Sequence, residues 1–122
     1  NRDKIISHLT KSEHWDNQFS FLEPIQKLDP SWFGFPIVLR KDLVDKKKVF
    51  LESLNRHKIE TRPIISGNFL NQPSIALYEL NKEKKVLKNC QELEDRGFFI
   101  GLHTEPISSD RLNHLTKQLL RI

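Results

Sequence analysis

Three short segments of the sequence have the composition of β-strands, and their number and spacing restrict the folds open to this chain. They are GFPIVLR (34–40), IETRPII (59–65) and FFIGL (98–102). Each is rich in β-branched or aromatic residues, which is typical of strands. Pro63 cannot donate a ladder hydrogen bond, so the second segment is expected at a sheet edge or at a strand start. The sequence therefore predicts a small sheet that other elements must cover.

Helical patterns separate the strand segments. Asp42 is expected to be the N-cap of a helix of about thirteen residues that has its leucines and a phenylalanine on one face. The segment NKEKKVLKNCQELEDRG (81–97) is expected to be partly helical and to end at Gly97, and SSDRLNHLTKQLLRI (108–122) opens with a serine cap. The order of elements predicts the α+β class. The length between the first two strands allows either a parallel crossover or an antiparallel return.

The first thirty residues differ from the rest of the sequence. The segment 2–9 has apolar residues at helical spacing and is expected to be the tail of a helix that begins upstream. Residues 12–30 have poor periodicity and contain Pro24 and Pro30, which indicates an extended arm. The sequence contains no methionine, so we expect it to be a piece of a longer protein.

Composition excludes several classes of protein. With 37% apolar and 30% charged residues the chain is expected to be globular, and no apolar run approaches the roughly 20 residues of a membrane helix. The net charge of +4 is spread among interspersed acidic and basic residues, so the basic runs are expected to be solvated faces. Nucleic acid is therefore not a favoured partner. The single cysteine excludes an internal disulfide and suits a reducing, cytoplasmic location.

The sequence has few candidates for independent catalysis. It contains no G-x-S-x-G elbow, Walker loop, G-x-G-x-x-G turn or HExxH pair. Cys90 has no histidine near it in sequence, which argues against a nucleophile. His57 is expected at a helix end, where a cation interacts favourably with the helix dipole. His103 follows the third strand, where it either faces a cleft or has a capping or surface role.

The segment RPIISGNFLNQP (62–73) has the most chemical content. Arg62 offers a fixed fork of donors that suits carboxylate or phosphate. Asn68 follows a glycine in what reads as a tight turn, and Gln72 precedes a proline. An arginine and amides on a loop after a strand can orient a polyhydroxyl ligand. The alternative is a loop whose amides cap its own backbone.

Three blocks together carry a resemblance to a known family. They are DPSWFGFPIVL (29–39), IETRPIISGNFLNQP (59–73) and RGFFIGLHTEPIS (96–108). Their order and spacing resemble the C-terminal small domain of the DegT/DnrJ-type sugar aminotransferases, which are fold-type I pyridoxal-phosphate (PLP) enzymes. SWFGFP and GN-x-x-x-QP are most similar to the branch that contains nucleotide-linked 4-keto-6-deoxyhexose 3-dehydratases of lipopolysaccharide sugar synthesis. The resemblance covers essentially the whole chain.

The resemblance implies a division of labour within a longer protein. Residues 31–122 would form the C-terminal small domain, with a small, mainly antiparallel sheet and helices packed on it. Residues 1–30 would be a linking helix and extended arm from a missing large domain. That large domain would hold PLP and the catalytic lysine, or the histidine that replaces it in the dehydratase branch. No catalytic, cofactor or metal site is therefore expected in this chain. The full-length protein is expected to be a homodimer that acts on a nucleotide-linked sugar.

The resemblance also assigns roles to individual residues. Arg62, Asn68 and Gln72 fall on motif positions that line the substrate side, which implies contacts to sugar hydroxyls or phosphate. His103 is a looser match to the same side. Trp32 and Phe33 of SWFGFP (31–36) would pack in part on a helix of the large domain. From the residues alone, the alternative is that the aromatic side chains of this stretch lie in the core of the domain itself.

A function of a different class stays open on the residues alone. The chain has a pI near 9.3, which is compatible with a free-standing basic interaction module that binds nucleic acid or another protein. A long upstream reading frame with a cofactor lysine or histidine would favour the enzyme-domain hypothesis.

Overall fold

The protein is described by a computed structural model that covers residues 1–12, 14–78 and 87–122. These residues form four α-helices and four β-strands. In chain order the elements are α1 (Arg2–Leu9), β1 (Phe19–Phe21), β2 (Gly34–Leu39), α2 (Lys47–Arg56), β3 (Thr61–Arg62), α3 (Lys88–Arg96), β4 (Gly97–Gly101) and α4 (Ser109–Leu119). Short 3-10 turns lie at Trp15–Asn17, Lys41–Lys46, Phe69–Asn71 and Pro73–Leu77. No helix within these ranges is long and apolar enough to cross a membrane.

The strands form one antiparallel sheet in the order β1-β2-β4-β3. In the central pair, Phe35 of β2 lies opposite Ile100 of β4, and Ile37 lies opposite Phe98. β1 adds to the free edge of β2, and β3 adds to the free edge of β4. The predicted α+β class with a small antiparallel sheet is confirmed, and β3 is an edge strand, as Pro63 indicates.

One face of the sheet forms the core with three helices. Because side chains alternate along a strand, every second residue of the central strands points to this face. Phe98 packs edge-on against Phe50 of α2, with ring centroids 6.0 Å apart. Burying each such side chain contributes about 1.5–3 kcal/mol. The buried apolar residues that form this cluster are Ile5, Leu9, Phe19, Phe35, Ile37, Leu39, Leu43, Phe50, Leu54, Ile59, Phe98, Ile100, Leu115 and Leu119.

Helix α3 is attached differently, because it contributes no fully buried side chain. Arg96 at its end donates from Nη1 to the carbonyl oxygen of Leu39 at 2.8 Å, and it forms an ion pair with Glu92 one turn earlier. Lys47 of α2 donates to the carbonyl oxygen of Glu94 at 2.7 Å, at the C-terminal end of α3, where a cation also interacts favourably with the helix dipole. Hydrogen bonds therefore contribute much of the attachment of this helix.

The predicted N-cap of α2 is wrong. Asp42 lies inside the 3-10 turn Lys41–Lys46, and the α-helix begins at Lys47. Leu43 in this turn is buried in the core, so the chain tightens to bring that side chain inward before the α-helix begins. The serine cap predicted for the last helix is confirmed, because Ser108 Oγ accepts from the backbone N–H of Arg111 at 3.4 Å.

The second predicted strand is shorter than the pattern 59–65 suggests. Only Thr61 and Arg62 pair with β4. The backbone N–H of Ile59 instead donates to the carbonyl oxygen of Leu54 at the end of α2. On the other side, Pro63 lacks an N–H, and Ile65 has a φ of 35° that leaves the extended region. The segment 81–97 was predicted to be partly helical. Residues 81–86 lie outside the described residues, and α3 ends before Gly97, as predicted.

The predicted extended arm contains a strand that the sequence pattern does not show. Phe19–Phe21 pairs with β2, and Phe21 stacks between Trp15 and Phe35 with centroids 5.1 Å from each. Residues on both sides of position 30 contribute to the same core. The division of the chain into residues 1–30 and 31–122 stays a prediction about the organisation of a longer protein.

Candidate functional site

An open cleft of about 990 Å³ lies between the ends of β3 and β4 and the exposed side of α4. We call it the β4–α4 cleft. Its walls combine aromatic side chains with charged side chains of both signs, among them Phe33, Phe99, Arg62, Arg111, Glu60 and Asp110, and His103 and His114 also line it. Phe33 is 79% exposed and rests on Phe99, with centroids 5.6 Å apart. An apolar floor with several polar groups at its rim suits a ligand that has both a ring and a polyhydroxyl or phosphate part.

Arg62 enters this cleft from the edge strand β3. Its position opposite Phe99 places it on the face of the sheet away from the core. Its Nε and Nη2 donate to the same carboxylate oxygen of Glu60, at 3.0 and 2.7 Å. Both side chains are mostly exposed, so this pair contributes little to stability. The contact restrains the guanidinium group while leaving N–H donors open to solvent.

His103 lies two residues after the end of β4 and also lines the cleft. Its Nδ1 accepts a hydrogen bond from the backbone N–H of Glu105 at 3.2 Å. A neutral imidazole in this arrangement carries its proton on Nε2. The backbone around it is fixed by Asn1, whose Nδ2 donates to the carbonyl oxygens of His103 and Glu105, at 2.6 Å each. Sequence reasoning missed Asn1, since its partners lie more than a hundred residues away.

Asn68 and Gln72 are not among the residues that line the β4–α4 cleft. Asn68 is 6% exposed, and its side chain accepts from the N–H of Leu70 and donates to Gln91 Oε1 at 3.0 Å. Gln72 donates from Nε2 to the carbonyl oxygen of Ser66 at 2.9 Å. Within this chain both amides therefore stabilise their own loop. The structure brings together Arg62 and His103, and it places the two amides elsewhere.

Helix α3 supplies two residues that sequence reasoning missed. Glu94 Oε2 accepts from the backbone N–H of Asn68 at 2.7 Å and from Asn71 Nδ2 at 3.1 Å. Gln91 Oε1 accepts from Asn71 Nδ2 at 2.9 Å as well as from Asn68. Positions 91 and 94 are three apart and so share a helix face. That spacing is visible in the sequence, but the loop that they hold is twenty or more residues away.

His57 lies at the C-terminal end of α2, as predicted. Its Nδ1 is 2.8 Å from the carbonyl oxygen of Ser53, one turn earlier in the helix. Its own carbonyl oxygen is 2.9 Å from Nε2 of His114 on α4. The two histidines thus connect the C-terminal end of α2 to the middle of α4 beside the cleft, and these contacts give both a structural role.

The aromatic residues of SWFGFP divide among three environments. Phe35 is fully buried in the core. Trp32 is half-buried and packs under the guanidinium of Arg2, whose Cζ lies 4.6 Å from the ring centroid. Phe33 points outward into the β4–α4 cleft. The alternative that these aromatics lie within the domain core describes Phe35, and it does not describe Phe33.

Two described side chains outside the cleft have a displaced pKa. Hydrogen bonds from Lys41 and Arg96 lower the pKa of Glu92 below its usual value. Burial lowers the pKa of Lys47, and the nearby carboxylates of Asp95 and Glu94 partly oppose that shift. Both residues belong to the attachment of α3. In the parts of the chain that the structure describes, no three metal-binding side chains cluster together.

The chain is similar to curated proteins and to solved structures, although no family model matches it. The GDP-4-keto-6-deoxy-D-mannose 3-dehydratase of Escherichia coli O55:H7 is 36% identical over 75 residues, which are 62% of this chain and 19% of that protein. The lipopolysaccharide biosynthesis protein RfbH of Salmonella typhimurium is 34% identical over 84 residues, which are 66% of this chain and 18% of that protein.

The solved structure of the E. coli GDP-4-keto-6-deoxy-D-mannose-3-dehydratase with bound hydrated PLP superposes with a TM-score of 0.76. It shares 28% sequence identity and covers 97% of this chain. The predicted resemblance is confirmed. Homologues of this chain are nucleotide-sugar 3-dehydratases, and the aminotransferase PseC of Helicobacter pylori shares the fold at 19% identity with a TM-score of 0.71.

The homologous region is a fraction of each relative. The chain spans about a fifth of the length of the two curated relatives and 30% of the PLP-bound E. coli chain. The matched region nevertheless includes nearly the whole of this chain in the structural comparison. The activity of a whole dehydratase therefore cannot be transferred to these 122 residues as they stand.

Proposed function

We propose that this chain is the C-terminal domain of a PLP-dependent aminotransferase or dehydratase that acts on a nucleotide-linked keto-deoxysugar. The reaction would belong to lipopolysaccharide or O-antigen sugar biosynthesis in the cytoplasm. The domain would contribute a wall on the substrate side and would be inactive alone. Residues 1–30 would link it to the large domain, and residues 31–122 would form the small domain.

One observation carries this proposal. A solved 3-dehydratase with bound PLP matches 97% of the chain at 28% identity, and two curated relatives exceed 30% identity over most of it. The similarity therefore extends beyond the fold to the residues. The shared segment is too small a part of each relative to hold the whole reaction, which supports a contributing domain over an independent enzyme.

We place the cofactor site in the part of the longer protein that this chain lacks. PLP, when bound, supplies an electron sink for the carbon atoms that react. Lys47 is a described lysine with a lowered pKa, but it does not line the cleft. Its side chain instead donates to the carbonyl oxygen of Glu94, where α2 contacts α3.

Arg62 and His103 are the proposed contacts of this chain to the sugar nucleotide. The open donors of Arg62 suit phosphate or hydroxyl oxygens, and the Nε2–H of His103 suits a hydroxyl oxygen. Their role would be to bind and orient, since neither has a partner that activates it as a nucleophile. Asn68 and Gln72 stay predictions as substrate contacts. The proposed full-length protein is a homodimer.

The test uses the complete product of the gene. PLP is added, the sample is reduced with borohydride, and the intact mass is measured. A covalent cofactor adduct supports a lysine-bearing aminotransferase, and cofactor binding without an adduct supports a histidine-bearing dehydratase. If the complete protein shows neither a covalent adduct nor PLP binding, the proposal is overturned and an interaction module is favoured.

Substitution of Arg62 tests the proposed contact in the same complete protein. Arg62→Ala is expected to lower kcat/KM by about tenfold or more, since hydrogen bonds to charged groups contribute about 1.5–3 kcal/mol. The thermal midpoint should stay unchanged, because Arg62 is exposed and pairs with exposed Glu60. Arg56→Ala is the matched control at an exposed position outside the cleft. Unchanged kinetics would remove Arg62 from the site.

A further inference from the structure

The segment 63–78 contains no charged residue, although 30% of the whole chain is charged. Five of its large apolar side chains are open to solvent, while Ile64 and Ile75 are half-buried. Ile65, Phe69, Leu70, Leu77 and Tyr78 are exposed to 86%, 53%, 41%, 84% and 62%. We call these five residues the 65–78 surface. Apolar residues that are exposed close together commonly mark an interaction site, and five of them lie here within one short segment.

The backbone that carries the 65–78 surface is held in place by polar contacts. Glu94 accepts from the N–H of Asn68, and Gln91 accepts from the amides of Asn68 and Asn71. Gln72 ties the two ends of the turn together through the carbonyl oxygen of Ser66. These contacts use the polar groups of the loop inside the chain and leave its apolar side chains outside. A surface fixed before it meets its partner binds with a smaller entropic cost.

The backbone at the start of this segment is strained. Ile65 has a φ of 35°, a left-handed conformation that β-branched residues rarely adopt. Gly67 has a φ of 56°, and a Cβ at that position would lie 2.9 Å from the Cβ of Glu94. Unfavourable backbone conformations of this kind concentrate at functional sites. Here the strained residue is Ile65, and its apolar side chain is 86% exposed.

We propose that the 65–78 surface is where this domain docks onto the remainder of the longer polypeptide. This inference rests on the proposed function. The homologous 3-dehydratase structure is matched over 97% of this chain but over only 30% of its own, so most of that relative has no counterpart here. The occupant is therefore the missing part of the same chain. The lack of charge agrees with the depletion of charged residues in the centre of interfaces.

The position of the surface relative to Arg62 gives the proposal a consequence. Ile65 follows Arg62 after two residues, at the same edge of the sheet. None of residues 63–78 lines the β4–α4 cleft, so Arg62 marks the point along the chain where the cleft ends and the docking segment begins. A partner that extends from the 65–78 surface past Arg62 would cover one side of the cleft, and ligand sites often form at such junctions between domains.

Hydroxyl-radical footprinting with mass spectrometry tests the docking surface directly. The complete gene product and the 122-residue chain are compared at equal concentration. We expect the oxidation rates of Phe69, Leu77 and Tyr78 to fall by about tenfold in the complete product, as their side chains become buried. Val49 is the internal control, because it is 63% exposed on α2 and lies outside the surface. Its rate is expected to be the same in both samples.

A pair of matched variants gives a second readout. Leu77→Asp and Val49→Asp both change an exposed apolar residue, so both should leave the thermal midpoint of the 122-residue chain within about 2 °C. In the complete product, Leu77→Asp should restore the oxidation of Tyr78 toward its rate in the 122-residue chain. Val49→Asp should not.

Several results would overturn the proposal. One is equal oxidation of the 65–78 surface in both samples, and another is a gene that encodes no further residues. Protection that appears in the 122-residue chain alone and rises with its concentration would assign the surface to a second copy. PLP binding in the same complete product is measured separately. Binding without protection would refute the docking surface alone, and protection without binding would refute the proposed enzyme.

Discussion

The core of this domain and its helix α3 are held to the sheet by different forces. In the core, α1, α2 and α4 bury apolar side chains against one face of the sheet. Helix α3 buries no side chain completely and relies on Arg96, Lys47 and Glu94 for its contacts. Apolar burial is non-directional and insensitive to pH, whereas each polar contact depends on two particular groups. Single polar substitutions should therefore change α3 and its loop selectively.

The largest expected effect is in the core. Phe98→Ala should lower the free energy of unfolding by about 3–5 kcal/mol, because it removes a fully buried ring that packs on Phe50. Phe33→Ala, at a side chain that is 79% exposed, should cost less than about 1 kcal/mol. Urea unfolding of the 122-residue chain measures both. Equal losses would contradict the assignment of these two rings to different environments.

Substitution of Arg96 should weaken the attachment of α3. Arg96→Ala removes the donor to the Leu39 carbonyl oxygen and the partner of Glu92. We expect the free energy of unfolding to fall by about 1–3 kcal/mol. The measurement is again urea unfolding, with hydrogen exchange of the α3 amides. Arg56→Ala at an exposed position on α2 is the control and should change stability by less than about 0.5 kcal/mol. An effect no larger than that of the control would mean that α3 is held by packing.

Glu94 should affect the loop more than the whole domain. Glu94→Gln keeps the shape of the side chain but removes the negative charge from the group that accepts from the N–H of Asn68. We expect the free energy of local opening of the loop to fall by about 1 kcal/mol. Amide exchange at Asn68 should accelerate by about fivefold or more, while amides in β2 and β4 stay protected. Glu52→Gln on the exposed side of α2 is the matched control. Uniform acceleration across the sheet would contradict a local role.

The smallest expected effect is a pH dependence from Glu92. Lys41 and Arg96 lower its pKa in the folded chain, so the unfolded chain binds more protons in the window just below the usual value of 4.5. The stability that Glu92 contributes is therefore present above that value and is lost as pH falls through the lowered pKa. Unfolding midpoints measured across this window should fall less steeply with acid for Glu92→Gln than for the wild-type chain. Parallel curves would show that the ion pairs do not form in solution.

Local patterns predicted much of the fold. Strands β2 and β4 were predicted because a short run of β-branched and aromatic residues can be read from neighbouring positions. The last helix and its serine cap were predicted for the same reason, since a cap and its partner are three residues apart. Of the four residues predicted to contact substrate, the structure places Arg62 and His103 at one cleft and Asn68 and Gln72 elsewhere, and the substrate contacts of all four stay predictions.

Features that depend on distant partners were not predicted. Strand β1 has only three residues and takes its conformation from pairing with β2, so its own sequence shows no pattern. The 3-10 turn before α2 arises because Leu43 reaches the core, which the N-cap pattern at Asp42 does not reveal. Asn1 and Glu94 bond to backbone groups that are distant along the chain, and Gln91 bonds to the equally distant side-chain amides of Asn68 and Asn71.

By itself, the sequence determined the α+β class, the central strands, the last helix and the resemblance to sugar-modifying PLP enzymes. These follow from residue patterns and motifs that lie within short stretches. Only the tertiary structure decided the strand order, the attachment of α3 and the outward direction of Phe33 and the 65–78 surface. The physical reason is separation along the chain. Arg96 and Leu39 are 57 residues apart, and such pairs form only when the burial of the core has brought their segments together.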